Sequence, residues 1–391
     1  MYAVKSIRQT YPQNQDLDQM MEIFRQMVNQ CIRIGLENNI STLQKFSSMF
    51  YHELSRYKIQ SYYKFTAMSQ ACGRLSQMKS DIRKGRRVKP PFVSRPFLVS
   101  CHGFKINGIL LSIPIGNKRY INIVLNDHVI SELSKGVEPR SFAITPTSLS
   151  ISVRKQVQGI TPESVIGIDR NLRNVTISTP TESVMYKTNK LLSIKENSMR
   201  VRAAFRRNDV RVKNKFFTQR RNRQSRRTQQ FLHKISKDIV QRAVMTKSMI
   251  VLEDLTGIRK LYKKGNGQGN KYRRRLNSWS FYELQRQIQY KASWEGIPVE
   301  FVDPKRTSQL CPICGGKCQE DRFNRRKLWC SNCKKSMDRD VVASMNISCK
   351  GWSRFCHPRG LSDEAVKGNP DNLQPVILRV DGSKLVCGRD I

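Results

Sequence analysis

Two pairs of closely spaced cysteines constrain this 391-residue chain more than any other feature. Cys311 and Cys314 form one Cys-x-x-Cys pair, Cys330 and Cys333 form the other, and fifteen residues separate the two pairs. Each pair turns tightly, so that both thiolates face one point, and together they supply the four ligands of tetrahedral zinc. The spacing therefore predicts a zinc ribbon with one Zn²⁺, the alternative being free thiols in a loop. Cys318 lies outside the paired spacing, which favours a bystander over a substitute ligand.

The net charge limits the kind of partner. Lys and Arg number 71 against 30 Asp and Glu, which gives +41 with histidine neutral. Such a chain attracts polyanions and is unlike an ordinary metabolic enzyme. The charge is spread along the whole sequence, and no apolar run approaches the roughly 18 residues of a membrane span. We therefore expect a soluble intracellular protein with a nucleic-acid partner and no membrane, although anionic lipid also attracts cations.

The first 160 residues predict a small antiparallel β-barrel with helices inserted after its first strand. Apolar residues recur every three or four positions in three stretches between residues 16 and 87, which is the period of a buried helix face. These stripes are Met20, Phe24, Met27 and Cys31; Phe46, Phe50, Leu54 and Tyr57; and Met68, Ala71, Leu75, Met78 and Ile82. Alternating segments around them, and the hairpin signal Asn107-Gly108, predict the strands.

Three acidic residues in the second half stand at the ends of predicted elements. Asp169 ends the apolar run 165–168, Glu253 ends the run 249–252, and Asp340 precedes a short predicted helix. An ionised acid beside an apolar strand is costly unless it is paired or bound to a metal. Taken singly, each has another explanation: a turn, an ion pair with lysine, or a helix cap.

Together, the three acids indicate a catalytic site. Two short predicted strands follow the first acid as a meander, and the second acid ends a later strand, which is the pattern of a ribonuclease-H-type fold. In that fold the acids converge at one edge of the sheet, and their like charges require divalent cations. Oxygen ligands select Mg²⁺ or Mn²⁺, and two such ions hydrolyse phosphodiesters. The five histidines are scattered, which argues against a histidine-metal nuclease.

A strongly basic stretch lies in the long helical region predicted for 189–245. Residues 199–227 contain twelve Lys or Arg and one acid, together with the aromatic residues Phe205, Phe216 and Phe217. This composition favours a helix that packs on one side and contacts phosphates on the other, the alternative being a solvated face. The candidate nucleic-acid contacts are Arg220, Arg221, Arg226 and Arg227, and Arg326 within the ribbon.

Four motifs in this order resemble TnpB, the RNA-guided RuvC-type nuclease family of insertion-sequence transposons and a relative of the type V CRISPR effectors. They are Gly167-Ile168-Asp169-Arg170-Asn171, Leu252-Glu253-Asp254-Leu255, Thr307-Ser308-Gln309 before the cysteine pairs, and Asp338-Arg339-Asp340. The resemblance makes Asp169, Glu253 and Asp340 the catalytic triad and selects Asp340 over Asp338. Two positions depart from the family pattern: Val342 replaces an asparagine, and Arg170 adds a cation beside the first acid.

The resemblance implies an α+β multidomain protein with an RNase H-like RuvC nuclease domain, an inserted zinc ribbon, and a preceding wedge-like β-barrel that carries a helical recognition insert. The expected domains are 1–15 and 88–160 for the barrel, 16–87 for the insert, 161–304 and 335–350 for the nuclease, 305–334 for the ribbon, and 351–391 for a tail of unknown order.

The resemblance also implies a function. A guide RNA from the transposon end would pair with target double-stranded DNA beside a short flanking motif, and the triad, with two Mg²⁺ or Mn²⁺ ions, would cut the DNA. The expected location is the prokaryotic cytoplasm, at the nucleoid. Two alternatives remain: a guide-RNA-dependent DNA-binding protein without cleavage, and an unguided DNA transposase. Relatives of the first kind lose triad acids, and a protein of the second kind needs no RNA.

Overall fold

The computed structural model describes residues 1–116, 119–179, 181–204, 210–258, 267, 269–356 and 376–381. The chain forms two compact units, one of residues Tyr2–Gln156 and one of Val157–Ile391 together with Met1. Each unit contains both helices and sheets, so the protein is an α+β multidomain protein. No helix among the described residues is both long enough and apolar enough to cross a membrane.

The first unit places a run of three helices between its first and second strands, the order expected from the sequence, and a further short helix later in the chain. Its elements are β1 (Tyr2–Gln9), α1 (Gln15–Glu37), α2 (Leu43–Phe50), a 3-10 turn (Tyr51–Leu54), α3 (Ser61–Arg83), β2 (Leu98–Ser100), β3 (Lys105–Asn107), β4 (Leu110–Gly116), β5 (Arg119–Val124), α4 (Asp127–Leu133), β6 (Glu138–Thr145) and β7 (Ser148–Gln156). Helix α1 packs along α3. The predicted α1 stripe is buried throughout, whereas the α3 stripe is buried as far as Leu75 and its last member, Ile82, is exposed.

The strands of the first unit form two antiparallel sheets. One has the order β1-β7-β6-β2, and the other has the order β3-β4-β5. The turn between β3 and β4 falls at Gly108, whose φ of 55° suits a residue without a side chain, as the Asn-Gly signal predicted. Between the described strands no ladder joins the two sheets, so the single barrel expected from the sequence is present as two separate sheets. Strand β2 ends the first of these sheets and pairs with β6 over three residues.

The second unit is built around a six-stranded sheet. Its elements are β8 (Ser164–Arg170), β9 (Asn174–Ser178), β10 (Glu182–Lys187), α5 (Asn189–Ala204), α6 (Val210–Met245), β11 (Ser248–Glu253), α7 (Asn270–Ser278), α8 (Phe281–Trp294), β12 (Val299–Val302), β13 (Cys318–Glu320), β14 (Lys327–Cys330), β15 (Lys335–Asp338), α9 (Arg339–Cys356) and β16 (Val376–Asp381). The sheet order is β12-β11-β8-β9-β10-β16. Strands β8, β9 and β10 form an antiparallel meander, β11 is parallel to β8, and β16 is parallel to β10.

Side chains along β8 and β11 point alternately to the two faces of the sheet, and this alternation determines which helices lie over the acids. Ile166 and Ile168 lie in a core with α6 and α8, so that face of the sheet is covered by those two helices. Val165 and Val251 lie in a separate cluster with residues of α9 on the opposite face. Because side chains in a strand alternate between faces, Asp169 and Glu253 point to the α9 face.

Two glycines let α9 approach this sheet closely. A Cβ atom on Gly167 would lie 2.1 Å from the Ser344 carbonyl oxygen and 2.4 Å from the Ser348 nitrogen, both in α9. A Cβ atom on Gly351 would lie 2.2 Å from a methyl group of Val251. Helix and strand backbones are thus closer than any side chain allows, which places the first turn of α9 beside the end of β8.

We expect Gly167→Ala to lower the midpoint of thermal unfolding by roughly 5 °C, because an added methyl group would overlap backbone atoms that cannot move alone. Overpacking costs about 1–3 kcal/mol, and each kcal/mol shifts the midpoint of a unit of this size by about 2–4 °C. Gly73→Ala is the matched control, since a Cβ on Gly73 in α3 meets nothing within 4 Å. In a helix, that change should be neutral or stabilising. Scanning calorimetry of both variants measures the difference, and equal midpoints would contradict the close packing.

Several elements differ from the sequence-based expectation. Residues 270–276 belong to α7, a helix that the sequence analysis did not predict, and it forms because Lys and Arg favour helix almost as much as Leu does. Helix α9 continues to Cys356 and is longer than the short helix expected from the sequence. Gly351 lies four residues after Ile347, where the next apolar residue of the buried face was expected, so the apolar pattern stops there although the helix does not. Part of the expected tail forms strand β16. Phe205 lies outside the described residues.

Candidate active site and metal centre

The three predicted acids come from three elements of the second unit. Asp169 is the sixth residue of β8, Glu253 is the last residue of β11, and Asp340 lies in the first turn of α9. All three side chains are buried. The sheet order puts β8 beside β11, and the glycine contacts put α9 across both, so the structure brings the three acids together.

Two asparagines connect the acids from β8 and α9. The Asn171 side-chain nitrogen donates a hydrogen bond to Asp169 Oδ2 (2.5 Å) and lies 3.0 Å from Asp340 Oδ1. The Asn174 side-chain nitrogen donates to Asp340 Oδ2 at 2.7 Å. One amide therefore bridges two carboxylates, which fixes their spacing. Neither asparagine was assigned a role from the sequence.

Glu253, the second acid, has its own partner. The Thr307 hydroxyl donates to Glu253 Oε1 at 3.0 Å, which fixes the orientation of that carboxylate. Arg170, on the opposite side of β8 from Asp169, donates to the Glu253 backbone carbonyl and, at 3.0 Å, to Gln285 Oε1 in α8. Burial lowers the pKa of Arg170 to about 10. The extra cation noted in the sequence thus holds β8, β11 and α8 together.

The electrostatics of the cluster suit a bound cation. Burial, followed by the charges of Glu253 and Asp340, raises the pKa of Asp169 well above its ordinary value. Burial likewise raises the pKa of Glu253. Acids in this position are stabilised in their ionised form by divalent metal, and oxygen-only ligands suit Mg²⁺ or Mn²⁺. The three carboxylates do not all lie within 4.8 Å of one another among the described residues.

Asp338 and Asp340 have different roles. The Asp340 backbone N–H donates to Asp338 Oδ1 at 2.9 Å, and α9 begins at Arg339, so Asp338 is the N-cap of the helix. Asp340 instead shares the Asn171 amide with Asp169. The structure therefore separates a capping acid from a site acid two positions apart.

Arg326 reaches the site from the ribbon. Its guanidinium donates to Asp340 Oδ2 at 2.7 Å. It was singled out from the sequence as a nucleic-acid contact, and the structure places it at the carboxylates. A cavity of about 650 Å³ beside the acids has room for a nucleotide-sized group. Its lining includes Asp169, Glu253, Asn171, Arg326, Tyr272 and Arg275.

The four predicted zinc ligands converge on one point. The sulfur atoms of Cys311, Cys314, Cys330 and Cys333 all lie within 4.8 Å of one another. Two of the pairs are 3.8 Å (Cys311–Cys333) and 3.5 Å (Cys314–Cys330) apart. Tetrahedral zinc with Zn–S bonds of about 2.3 Å needs sulfur atoms about 3.8 Å apart, so the cluster fits one Zn²⁺. Cys318 is not in this group.

An apolar cluster joins the ribbon to the first turn of α9. Val342 is fully buried in it, together with Cys318 and Leu328 of the ribbon. The departure from the family pattern at Val342 is thereby explained, because this side chain packs against the ribbon and does not face the carboxylates. Asn346, one turn further along α9, donates to the carbonyl oxygens of Thr307 (2.7 Å) and Leu310 (2.8 Å), which holds the segment that enters the ribbon.

The basic segment lies on α5 and α6. Arg221, Arg226 and Arg227 are exposed, and Arg220 is half-buried with its guanidinium 5.7 Å from the centre of the Phe216 ring. None of these four arginines forms an ion pair within the described part of the chain. A cavity of about 560 Å³ lies between the two helices and is lined by Lys190, Arg220, Arg223 and Arg227 among others. Unlike Arg326, these residues are not among those that contact the carboxylates.

Comparisons with known proteins agree with the motif order. The Cas12f1-like, TNB domain family matches residues 281–347, which include the cysteine cluster. The TnpB-like protein MJ0751 of Methanocaldococcus jannaschii is 36% identical over 259 residues, covering 62% of this chain and 91% of that protein. The putative RNA-guided DNA endonuclease InsQ of Escherichia coli K12 is 26% identical, covering 57% of this chain and 59% of its own length.

The fold has a counterpart among solved structures. A cryo-EM structure of a Cas12f1–sgRNA–target DNA complex superposes with a TM-score of 0.58 at 14% identity, covering 85% of this chain and 81% of that chain. This likeness concerns the fold alone. The identity with MJ0751 extends over nearly all of that protein, and it is this match that establishes the relationship. The chain belongs to the TnpB family.

Proposed function

We propose that this protein is an RNA-guided DNA endonuclease of an insertion-sequence transposon. Relatives named as an RNA-guided DNA endonuclease and as the CRISPR-associated endodeoxyribonuclease Cas12f1 support the activity. The observation that carries it is the meeting of Asp169, Glu253 and Asp340, buried and from three separate elements, beside a cavity that admits a nucleotide. A purely structural role gives no reason to bury three acids together.

The proposed nuclease domain is of the RNase H-like RuvC type. A meander of three strands, followed by two strands parallel to its first member, is the arrangement of the central sheet and supports this assignment. We assign residues 161–304 and 335–350 to it, and 305–334 to the inserted zinc ribbon. The first unit then supplies the wedge-like and recognition parts, with the recognition part formed by helices within residues 16–87.

In the proposed reaction, each residue of the site has a distinct task. Asp169, Glu253 and Asp340 would hold two Mg²⁺ or Mn²⁺ ions, which supply positive charge to the phosphate and favour the ionised form of a water molecule. Asn171 holds the first and third carboxylates in register, and Thr307 orients the second. The Arg326 guanidinium, which pairs with Asp340 in this structure, would turn to a phosphate oxygen when DNA binds, since its fork of donors suits phosphate. The water oxygen would form a bond to phosphorus as the bond from phosphorus to the 3′ oxygen breaks. The water would give its proton to solvent, and the departing 3′ oxygen would take one from solvent, which leaves a 5′-phosphate and a 3′-hydroxyl.

Binding of a guide RNA accounts for the high net positive charge of the chain. A net +41 is more than a site of this size needs, and neutralising a structured RNA and a heteroduplex requires many phosphate contacts. Base pairing of the guide with target DNA supplies sequence specificity, while the protein contacts the backbone. In a prokaryotic cell this binding would place the protein at the nucleoid.

Reconstitution tests the proposal. RNA that copurifies with the full chain is sequenced, and a plasmid carrying its complement beside randomised flanking sequence is incubated with the complex and Mg²⁺. We expect cleavage that requires the RNA, the matching target and the metal. RNA-dependent binding without cleavage would indicate a nuclease-silent DNA-binding protein. Cleavage or joining that persists after ribonuclease treatment would indicate an unguided transposase.

Phosphate contacts by the basic helix α6 make a separate prediction. Replacing Arg220, Arg221, Arg226 and Arg227 together with Gln should weaken RNA binding, because each lost contact releases one fewer counterion. The slope of log affinity against log salt should fall by about one per lost contact. Fluorescence anisotropy at a series of salt concentrations measures both quantities.

The control for this variant removes the same charge from cations that already pair with acids. These are Arg33, Lys135, Arg154 and Lys247. We expect the control to alter the slope much less. Equal effects of the two quadruple variants would show that total charge, and not the α6 surface, governs binding. An unchanged slope in the α6 variant would support a merely solvated helix face.

A further inference from the structure

The loop between β13 and β14 carries the most exposed aromatic ring described in the protein. Phe323 has a relative exposure of 101%, so its whole ring lies in solvent. A ring of this size is normally buried or covered by a partner. We refer to residues 321–326 as the ribbon tip.

Hydrogen bonds hold the ribbon tip in this shape. Asp321 Oδ1 accepts from the backbone N–H groups of Phe323 (2.8 Å) and Asn324 (2.9 Å). Asn324 Oδ1 accepts from the Arg326 N–H at 3.1 Å, and the Lys327 N–H donates to the Asn324 carbonyl at 2.8 Å. These hydrogen bonds fix the backbone before and after Phe323, and the turn therefore holds the ring out in solvent.

The surroundings of the ring are cationic. Arg322, Arg325 and Lys327 are exposed, and none of them forms an ion pair with any residue that the structure describes. The nearby acids are already engaged, since Glu320 pairs with Arg339 at 2.7 Å and Asp321 accepts the two N–H groups. An aromatic ring among cations suits a partner with flat apolar faces and a negative backbone, which describes single-stranded nucleic acid.

The ribbon tip also contacts the carboxylate site. Arg326, three residues after Phe323, donates to Asp340 at 2.7 Å. A DNA strand with one base stacked on Phe323 would therefore pass close to the acids, because Phe323 and Arg326 lie in the same short loop. Trp329 and Lys327 share the outward face of β14, which extends the same combination of ring and cation along the ribbon.

We propose that Phe323 stacks on a base of the DNA strand that enters the carboxylate site, so that the ribbon tip positions the phosphate to be cut. This inference rests on the proposed nuclease function and adds a substrate-positioning residue outside the acid cluster. Contact with a second protein is the rival explanation. The unpaired cations around the ring disfavour it, because a protein interface buries such charges at a cost.

Stacking is tested with single-stranded DNA that carries 2-aminopurine, whose fluorescence falls when the base stacks. Full-length protein with its RNA is used in an Asp169→Asn background, which suppresses cleavage. The probe is moved one position at a time along a 15-nucleotide strand. We expect one or two positions to be quenched, and Phe323→Ala to remove the quenching and weaken single-strand affinity by roughly 5- to 150-fold, the range for one base–aromatic stack.

Matched variants separate stacking from other roles of the side chain. Phe323→Trp should restore quenching and affinity, whereas Phe323→Leu, which keeps apolar volume without an aromatic face, should not. With Asp169 intact, Phe323→Ala should raise the KM for a single-stranded substrate more than it lowers kcat. Full activity of Phe323→Leu would overturn stacking, as would quenching unchanged by Phe323→Ala. Loss of oligomerisation in Phe323→Ala with unchanged DNA affinity would indicate the protein interface instead.

The outcome is distinguishable from failure of the proposed function. If the unaltered protein cuts matched DNA and Phe323→Ala cuts it equally well at all substrate concentrations, only the stacking inference fails. If the unaltered protein never cuts, the nuclease proposal fails, and the quenching experiment then reports on DNA binding alone.

Discussion

Single replacement of Asp169, Glu253 or Asp340 with alanine is expected to lower DNA cleavage by about 1,000-fold or more, since metal-borne stabilisation of the transition state contributes several kcal/mol. Binding of target DNA should stay close to that of the unaltered complex, because guide pairing and phosphate contacts lie elsewhere. Gel-based cleavage with Mg²⁺ and a filter-binding assay on the same RNA–protein complex measure the two quantities.

Asp338→Ala is the matched control for these variants. It removes an acid two residues from Asp340, but that acid caps α9 and does not join the cluster. Loss of such a cap costs about 1 kcal/mol of stability, so much of the cleavage activity should remain. If Asp338→Ala were inactive while Asp340→Ala stayed active, the assignment of the third acid would be wrong by two positions.

Loss of zinc is expected to have the second largest effect. The double variant Cys311→Ser/Cys330→Ser removes two of four sulfur ligands and should lose about one zinc per chain, since structural zinc binding contributes on the order of 10–16 kcal/mol to a small domain's folding. Because Val342 packs in the ribbon's apolar cluster, the first turn of α9 should loosen and cleavage should fall as well.

Metal analysis, thermal unfolding and limited proteolysis report on the same samples. Cys101→Ser is the control, since Cys101 is an exposed free thiol that is not one of the four clustered cysteines, and this variant should keep its zinc. We expect protease to cut the double variant within residues 305–338. A strong chelator added to the unaltered protein should produce the same cuts. Equimolar zinc in the double variant would refute the assignment of its ligands.

The features that the sequence predicted are those with local causes. Zinc ligands were recognisable because each Cys-x-x-Cys pair is complete within four residues. Asp169 and Glu253 stood out because an acid that follows an apolar strand is costly. The convergence of the four sulfur atoms is confirmed by the structure, whereas the catalytic role of the acids stays a prediction until it is measured.

The features that the sequence analysis did not predict depend on contacts between residues far apart in the chain. Asn174 looks like an ordinary polar residue in the sequence, and Thr307 was recognised only as part of a family motif. Their contacts with the acids appear only when β9 and the segment before the ribbon lie beside them. Arg326 was assigned to nucleic acid from its basic neighbours, with no sign of its contact with Asp340. The division of the expected barrel into two sheets likewise depends on which strands pair, and alternation alone does not specify pairing.

Strand β16 has a consequence for how the protein is made. It pairs in parallel with β10, with Val376 opposite Glu182, so nearly two hundred residues separate the partners. Until the ribosome has released residues 376–381, the β10 edge of the central sheet offers unpaired backbone groups to any other strand. Chains emerging together on one messenger RNA would present identical edges at high local concentration. We therefore expect the yield of folded protein to depend on translation speed and on chaperones that cover nascent sheet edges.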